Sequence, residues 1–223
     1  MSDATIPNRC RLVLIAFPDS DSSAAAAKIK DAVAGGDVAS VILAPGGASE
    51  KDFQAFCELA VPVIQSANAA AMVVGSSQIA GRAKADGVHV LGDAAELKQT
   101  IEKLSPRLIV GSAASNSRHD ALEKGEQRPD YVFFGKLDGD THPDAHPKNL
   151  EFGDWWASMI EIPCIVMGGY LPESVSEIAR TGAEFAALSA AVFGEGRVPR
   201  EQVARANLFL DAVGEFQGAD IAD

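Results

Sequence analysis

Short runs of β-branched and other apolar residues alternate with helix-forming stretches along the whole chain, and this alternation constrains the fold more than any other feature. The runs are short enough for strands, and helix-start signals or helical apolar spacing fill the stretches between them. The pattern predicts about eight β-then-α units. The predicted strands are Arg11–Phe17, Val38–Ala44, Ala70–Val74, Gly87–Val90, Leu108–Gly111, Tyr131–Gly135, Cys164–Gly168 and Phe185–Ser189.

Helix boundaries are marked by capping residues. Ser49 and Asp52 resemble a capping box at the start of the second helix, and Gly182 stands where a helix C-cap is expected. The predicted helices include Ala24–Ala34, Ala94–Leu104 and Pro172–Thr181.

The predicted strands are apolar on both faces, which is typical of a parallel sheet covered by helices. An open doubly wound sheet also alternates, but it usually has fewer strands and a glycine-rich turn after the first strand. Here the first strand continues into residues 17–21, Phe-Pro-Asp-Ser-Asp, without a glycine. We therefore predict an α/β chain with a single (β/α)8 barrel (TIM barrel) over residues 9–223, and residues 1–8 as a frayed N-terminus.

Charge and cysteine usage limit the partners and the compartment. The chain has 19 basic and 31 acidic residues, a net charge of −12. Such a surface repels phosphate backbones and anionic lipids, so neither nucleic acid nor a membrane is an expected partner. Cys10, Cys57 and Cys164 are far apart and odd in number, which favours reduced thiols in a cytoplasmic protein. Barrels of this size often dimerise, so we also expect a homodimer.

Two strand ends have the composition of a phosphate site. Active sites of barrels lie at the C-terminal ends of the strands, and the last two loops often bind phosphate. Gly168 and Gly169 follow the seventh strand, and Ser189 and Ala190 end the eighth. Glycine lets the backbone approach an anion, and N–H groups at a helix start point towards it. The alternative is that the glycines only relieve crowding at a strand end.

Several motifs together resemble thiamine phosphate synthase and its thiazole tautomerase relatives, over about residues 12–194. The motifs are Ala-Asp-Gly-Val-His-Val at 85–90, Pro-Asp-Tyr-Val-Phe-Phe-Gly at 129–135, Met-Gly-Gly at 167–169, Gly-Ala at 182–183 and Ser-Ala at 189–190. The resemblance implies a (β/α)8 barrel that joins a pyrimidine pyrophosphate to a thiazole phosphate. It further implies that Mg2+ carries the pyrophosphate and that a pyrimidine carbocation forms by dissociation.

The chain departs from that family where the family holds pyrophosphate and metal. The family ends its second strand with Gln-x-Arg-x-Lys, whereas this chain has Val-Ile-Leu-Ala-Pro at 41–45. Neither Leu43 nor Pro45 can donate a charged hydrogen bond. Gly75 stands where the resemblance implies a Mg2+-binding Asp, and Asp93 is only a neighbour of the second such position. A single carboxylate is a poor Mg2+ site unless substrate phosphates complete it.

The remaining candidates leave three functions open. His89, at a strand end, either contacts the ligand or forms a hydrogen bond within the barrel rim. Lys136 opens the long irregular stretch 136–149, and it or Lys148 is a candidate for the missing cation. The chain is then a thiamine phosphate synthase with weak or altered activity, a non-catalytic binder of a thiazole or thiamine phosphate ester, or a barrel that runs another reaction with His89, Asp93 and this loop.

Overall fold

The computed structural model describes residues 9–114 and 117–219, within which eight parallel strands close into a barrel. Each strand pairs with the next along the chain, and the eighth pairs with the first. The strands are β1 (Arg11–Ala16), β2 (Ser40–Leu43), β3 (Ala70–Val74), β4 (Gly87–Val90), β5 (Ile109–Ala114), β6 (Tyr131–Phe134), β7 (Cys164–Met167) and β8 (Phe185–Leu188). The predicted (β/α)8 barrel is confirmed, and the segment 1–8 that was expected to fray lies outside the described residues.

Helices surround the barrel and connect its strands. They are α1 (Ser22–Val33), α2 (Glu50–Ser66), α3 (Ser77–Ala83), α4 (Ala94–Leu104), α5 (Arg118–Gly125), α6 (Pro147–Met159), α7 (Val175–Arg180), α8 (Ala190–Phe193) and α9 (Pro199–Ala219). Ser49 caps α2 by accepting a hydrogen bond from the Asp52 N–H, as predicted. Asp21 caps α1 in the same way, so α1 begins before the predicted Ala24.

The largest differences from the predicted bounds are at β5 and at the helix predicted after β7. Strand β5 continues to Ala114 because its end pairs with Phe134 of β6, although its small residues have little strand propensity. The helix predicted over Pro172–Thr181 is a 3-10 turn, Pro172–Ser174, followed by α7. The Ser174 hydroxyl donates to the Leu171 carbonyl and tightens this first turn.

The strands bury side chains on both faces, as a barrel inside a ring of helices requires. Outward-facing residues pack against the helices, where the fully buried Trp156 lies against Phe134. Inward-facing residues fill the barrel, so that its centre is a packed core. The interior cluster contains Val13, Ile15, Ile42, Ala44, Met72, Val74, Tyr131, Phe133, Ile165, Met167 and Ala187.

The start of the described chain packs against the last helix, α9. Helix α9 packs against α1 and α7 and so closes the outer ring. Arg9, just before β1, donates hydrogen bonds to Asp211 and Asn207 of α9. No helix within residues 9–114 and 117–219 is long and apolar enough to cross a membrane.

Residues 135–146 contain no helix or strand, and we call them the β6–α6 loop. The irregular stretch predicted over 136–149 is therefore shorter at its C-terminal end. Pro147 occupies the first turn of α6, where its missing N–H costs no hydrogen bond.

Candidate functional site

The β6–α6 loop places a buried carboxylate on the turn after β8. Asp140 is 6% exposed. Its Oδ2 accepts hydrogen bonds from the backbone N–H groups of Ser189 at 3.1 Å and of Ala191 at 3.3 Å. Burial raises the pKa of Asp140, and hydrogen bonds from Ala191, Ser189 and Ala190 oppose that rise. The turn predicted to bind phosphate thus holds an anion that belongs to the same chain.

The same loop also contacts the turn after β7. The Tyr170 N–H donates to the His142 carbonyl at 2.7 Å, and the Leu171 N–H donates to the Pro143 carbonyl at 3.2 Å. A Cβ atom on Gly169 would lie 2.2 Å from the Pro143 carbonyl oxygen, so the loop rests directly on this glycine. One loop therefore bridges both turns of the predicted phosphate site.

Both glycines after β7 have close neighbours. The Gly168 N–H continues the ladder to the Ala187 carbonyl at 2.9 Å. The Gly169 N–H donates to the buried hydroxyl of Ser174 at 3.0 Å. A Cβ atom on Gly168 would lie 2.9 Å from side-chain atoms of Leu188 and Ser174. Crowding at the strand end accounts for these glycines, and their contact with phosphate stays a prediction.

A cavity of about 410 Å3 opens beside Asp140, Ser189 and Ala190, between α1, α8 and the end of β1. Its only basic side chain within the described residues is Lys28, whose Nζ lies 3.0 Å from Asp19 Oδ2. A second cavity, of about 690 Å3, lies beside residues 45–48. Acidic side chains predominate around the two cavities, namely Asp19, Asp52, Asp138 and Asp140.

Ile42 of β2 and Ala44, directly after it, face the barrel interior, whereas Leu43 is fully buried against the helices. A side chain at position 43 therefore points away from the barrel interior, because side chains alternate along a strand. Ile42 and Ala44, which do face inward, are apolar and supply no cation. Lys136 is exposed and lines neither cavity.

His89 lies inside the barrel, below the mouth. It is fully buried, and its Nδ1 is 2.9 Å from the Tyr131 hydroxyl. The ring of Tyr131 reaches His89 because Gly111 has no side chain there; a Cβ would lie 1.9 Å from the Tyr131 ring. Burial lowers the pKa of His89 to about 3. Of the two interpretations of His89, the structure shows the hydrogen bond within the barrel.

The residues expected to hold Mg2+ do not form a metal site by themselves. Asp93 is exposed, and its Oδ1 caps α4 by accepting from the Glu96 N–H at 2.9 Å. Gly75 has an exposed backbone with φ of +76° at the end of β3. Within the described residues, no three His, Cys, Asp or Glu side chains are grouped to hold a metal ion.

The sequence interpretation missed Asp140 and Lys28. Asp140 reaches a turn that lies 49 residues further along the chain, and no local pattern signals such a contact. Lys28 lies on the outer helix α1, and the helical spacing of α1 does not reveal that its side chain lines the same cavity as the turn after β8. Both belong to the cavity that also contains Ser189 and Ala190.

The sequence profile described as thiamine monophosphate synthase matches residues 12–192. The thiamine-phosphate synthase of Hyphomonas neptunium is 31% identical over 96% of this chain and 100% of its own length. That of Rhodospirillum centenum is 32% identical over 89% of this chain and 96% of its own.

Solved structures show the same fold. The thiamine phosphate pyrophosphorylase of Pyrococcus furiosus superposes with a TM-score of 0.76 at 21% identity, over 92% of this chain and 98% of that one. The profile match agrees with the resemblance found in the sequence motifs, which covered about residues 12–194. The chain belongs to the thiamine monophosphate synthase family.

Proposed function

We propose that the protein acts in thiamine biosynthesis and binds thiazole phosphate or thiamine phosphate at the C-terminal ends of β7 and β8. One observation carries this proposal: the N–H groups of Ser189 and Ala191 converge on a single anionic group. Backbone donors at a helix start suit a phosphate as they suit a carboxylate. Family membership supports a phosphorylated thiazole or thiamine as that ligand.

A monophosphate fits the mouth better than a pyrophosphate. Among the described residues, Lys28 is the only basic side chain that lines the cavity beside the β8 turn. Asp19, Asp52 and Asp138 line the other side, where a pyrophosphate would extend. Carboxylates repel a polyanion, and Ile42 and Ala44 provide no counter-charge.

We propose that synthase turnover is weak or altered. The dissociative reaction that the resemblance implies requires the pyrophosphate to leave the pyrimidine before the bond to the thiazole forms, and cations stabilise that leaving group. Each lost donor of this type costs about 100- to 1000-fold in rate. When bound, Mg2+ would supply part of this charge stabilisation, but its ligands would have to come mainly from the substrate phosphates.

A non-catalytic phosphate-ester binder is the second candidate. The acidic lining of both cavities favours it, because that lining disfavours the pyrophosphate co-substrate. No contact favours a different reaction run by His89 and Asp93, since the first is sealed inside the barrel and the second caps a helix.

Binding and turnover together test this function. Calorimetry and thermal shift with thiazole phosphate, thiamine phosphate and inorganic phosphate, with and without Mg2+, should show saturable binding and a raised melting temperature. Incubation with both thiamine precursors and Mg2+ should yield thiamine phosphate slowly. The absence of binding by any phosphate would remove the phosphate site, and a rate typical of a synthase would contradict the weak activity.

A matched pair of variants tests the missing cation. We expect Ala44→Arg to raise turnover by about 100-fold, because its long side chain can extend from the interior face of β2 towards the mouth. Leu43→Arg is the control, since it buries the same charge against the helices and should destabilise the fold by about 3–5 kcal/mol without a gain in rate. Equal rates in Ala44→Arg and the unmodified protein would show that the lost cation does not limit turnover.

We further propose a cytoplasmic location and a homodimer. Burial raises the pKa of the Cys10 and Cys57 thiols to about 12, so both are held as unreactive thiols. Fractionation of cells and light scattering of the purified protein test the two proposals.

A further inference from the structure

Asp140 already takes the hydrogen bonds that the proposed function gives to a phosphate. Its Oδ2 is bonded to the N–H groups of Ser189 and Ala191, and the carboxylate is almost completely buried. A phosphate oxygen needs the same two donors in the same place. The two anions therefore exclude each other, both by volume and by charge.

We propose that Asp140 is an internal competitor for the ligand phosphate, so that it sets the affinity of the β8 turn for anions and binding requires withdrawal of residues 138–144. This inference rests on the proposed function, because it concerns the regulation and specificity of the same site. Asp140 is thus a specificity-determining residue that favours ligands able to displace a carboxylate.

Residues 138–144 are attached to the site by hydrogen bonds, which can break without unfolding a strand or helix. They are held at the site by the Asp140 carboxylate and by the His142 and Pro143 carbonyls, and no strand or helix includes them. The cavity of about 410 Å3 reaches Asp140, Ser189 and Ala190 from outside, so a ligand can approach the turn. Burial also raises the pKa of Asp140, so ionisation of this buried carboxyl carries a desolvation cost that withdrawal into solvent would remove.

The strength of the competition depends on the fraction of molecules in which residues 138–144 are withdrawn. A site whose open state is a minor conformer binds with an affinity reduced by the fraction that is open. If about 1–10% of molecules have the segment withdrawn, removal of the competitor raises the affinity about 10- to 100-fold.

Titration with sulfate, inorganic phosphate and thiazole phosphate tests the proposal. Asp140→Asn keeps the shape of the side chain and removes its charge. Asp140→Ala also removes the group that accepts hydrogen bonds from the turn. The control is Asp144→Asn, which removes the same charge from an exposed position of the same segment that lines neither cavity. We expect anion affinity to rise about 10-fold or more in the Asp140 variants and less than twofold in the control. Should Asp140→Ala fail to fold, the isosteric variant alone decides the test.

Hydrogen exchange gives a second readout in the unmodified protein. Withdrawal of the segment frees the N–H groups of Tyr170 and Leu171, which otherwise donate to the His142 and Pro143 carbonyls. Saturating thiazole phosphate should therefore speed exchange at these two amides while the Ser189 and Ala191 amides stay protected.

The possible outcomes distinguish failure of the proposed competition from failure of the proposed phosphate binding. Equal thiazole phosphate affinity in the unmodified protein and both Asp140 variants would overturn the competition and leave the phosphate site intact. Gains of equal size in Asp140→Asn and Asp144→Asn would overturn it too, since a general charge effect would then suffice. No binding of any phosphate by any variant would overturn the proposed function, and the competition with it.

Discussion

His89 and Asp140 are both buried ionisable side chains, and they differ in what surrounds them. Burial favours the neutral form of each side chain, so it lowers the pKa of His89 and raises the pKa of Asp140. His89 pairs with a side chain between rigid strands, and no described cavity reaches it. Asp140 pairs with backbone donors beside an open cavity. Burial and a shifted pKa alone do not mark a ligand site; access of a ligand to the partner groups does.

The largest expected effect is the loss of stability through His89 in acid. Its folded-state pKa of about 3 lies below the unfolded value near 6.5, because of burial first and the Lys124 charge second. The unfolded chain therefore binds this proton first, and the free energy of unfolding falls by roughly 1.4 kcal/mol per pH unit between these values, about 5 kcal/mol in total. Urea unfolding as a function of pH measures this slope.

His89→Gln is the control for that slope. Gln carries a polar amide that can face the Tyr131 hydroxyl but does not titrate, so the variant should lose stability in acid less steeply. Parallel pH profiles for the variant and the unmodified protein would contradict a buried neutral His89.

The next effect concerns the partner of His89. Tyr131→Phe removes the hydroxyl and leaves Nδ1 of the imidazole buried without a partner, which should cost about 1–3 kcal/mol. Affinity for thiazole phosphate should not change, because the pair lies below the mouth. A variant that lost phosphate affinity while keeping its stability would reverse the roles assigned to the two regions.

The smallest effect is expected at Asp140. Asp140→Asn should change the free energy of unfolding by less than about 1 kcal/mol, since weaker hydrogen bonds offset the relief of desolvation. The raised pKa also fixes the sign of the pH dependence: ionisation of the carboxyl costs stability in full above its folded pKa, and that cost decreases as pH falls from the folded to the unfolded pKa. Unfolding at pH 7 and pH 4 measures both quantities, and a loss as large as that of Tyr131→Phe would show a structural role.

The fold was largely predictable from the sequence because each strand is a local apolar run. Six strands began and ended within a residue of the predicted bounds, and two of them, Ala70–Val74 and Gly87–Val90, matched at both ends. The predicted β5 was too short because small residues form the end of this strand, and their place in the sheet depends on pairing with β6. The packing of Leu43 against the helices was not predicted either, because a strand that is apolar on both faces does not indicate which residues face inward.

The candidate site was predictable only in part. Ser189 and Ala190 lie where the sequence placed them, on the turn after β8 and beside a cavity. Their contact with Asp140 was not predictable, because a loop without helix or strand leaves no periodic signal and its partner is remote in sequence. The phosphate role stays a prediction because it depends on a ligand that would contact backbone N–H groups, and the metal role stays one because Gly75 stands where the resemblance implies a carboxylate.

The contact of Arg9 with α9 has a topological consequence. Because Arg9 lies against Asp211 and Asn207, a linker that joined α9 directly to residue 9 would make the barrel a ring without a fixed starting point. A circular permutant opened within residues 138–144 would keep all eight strands in their cyclic order. It would also turn the segment that carries Asp140 into a free end, tethered to the barrel on one side only.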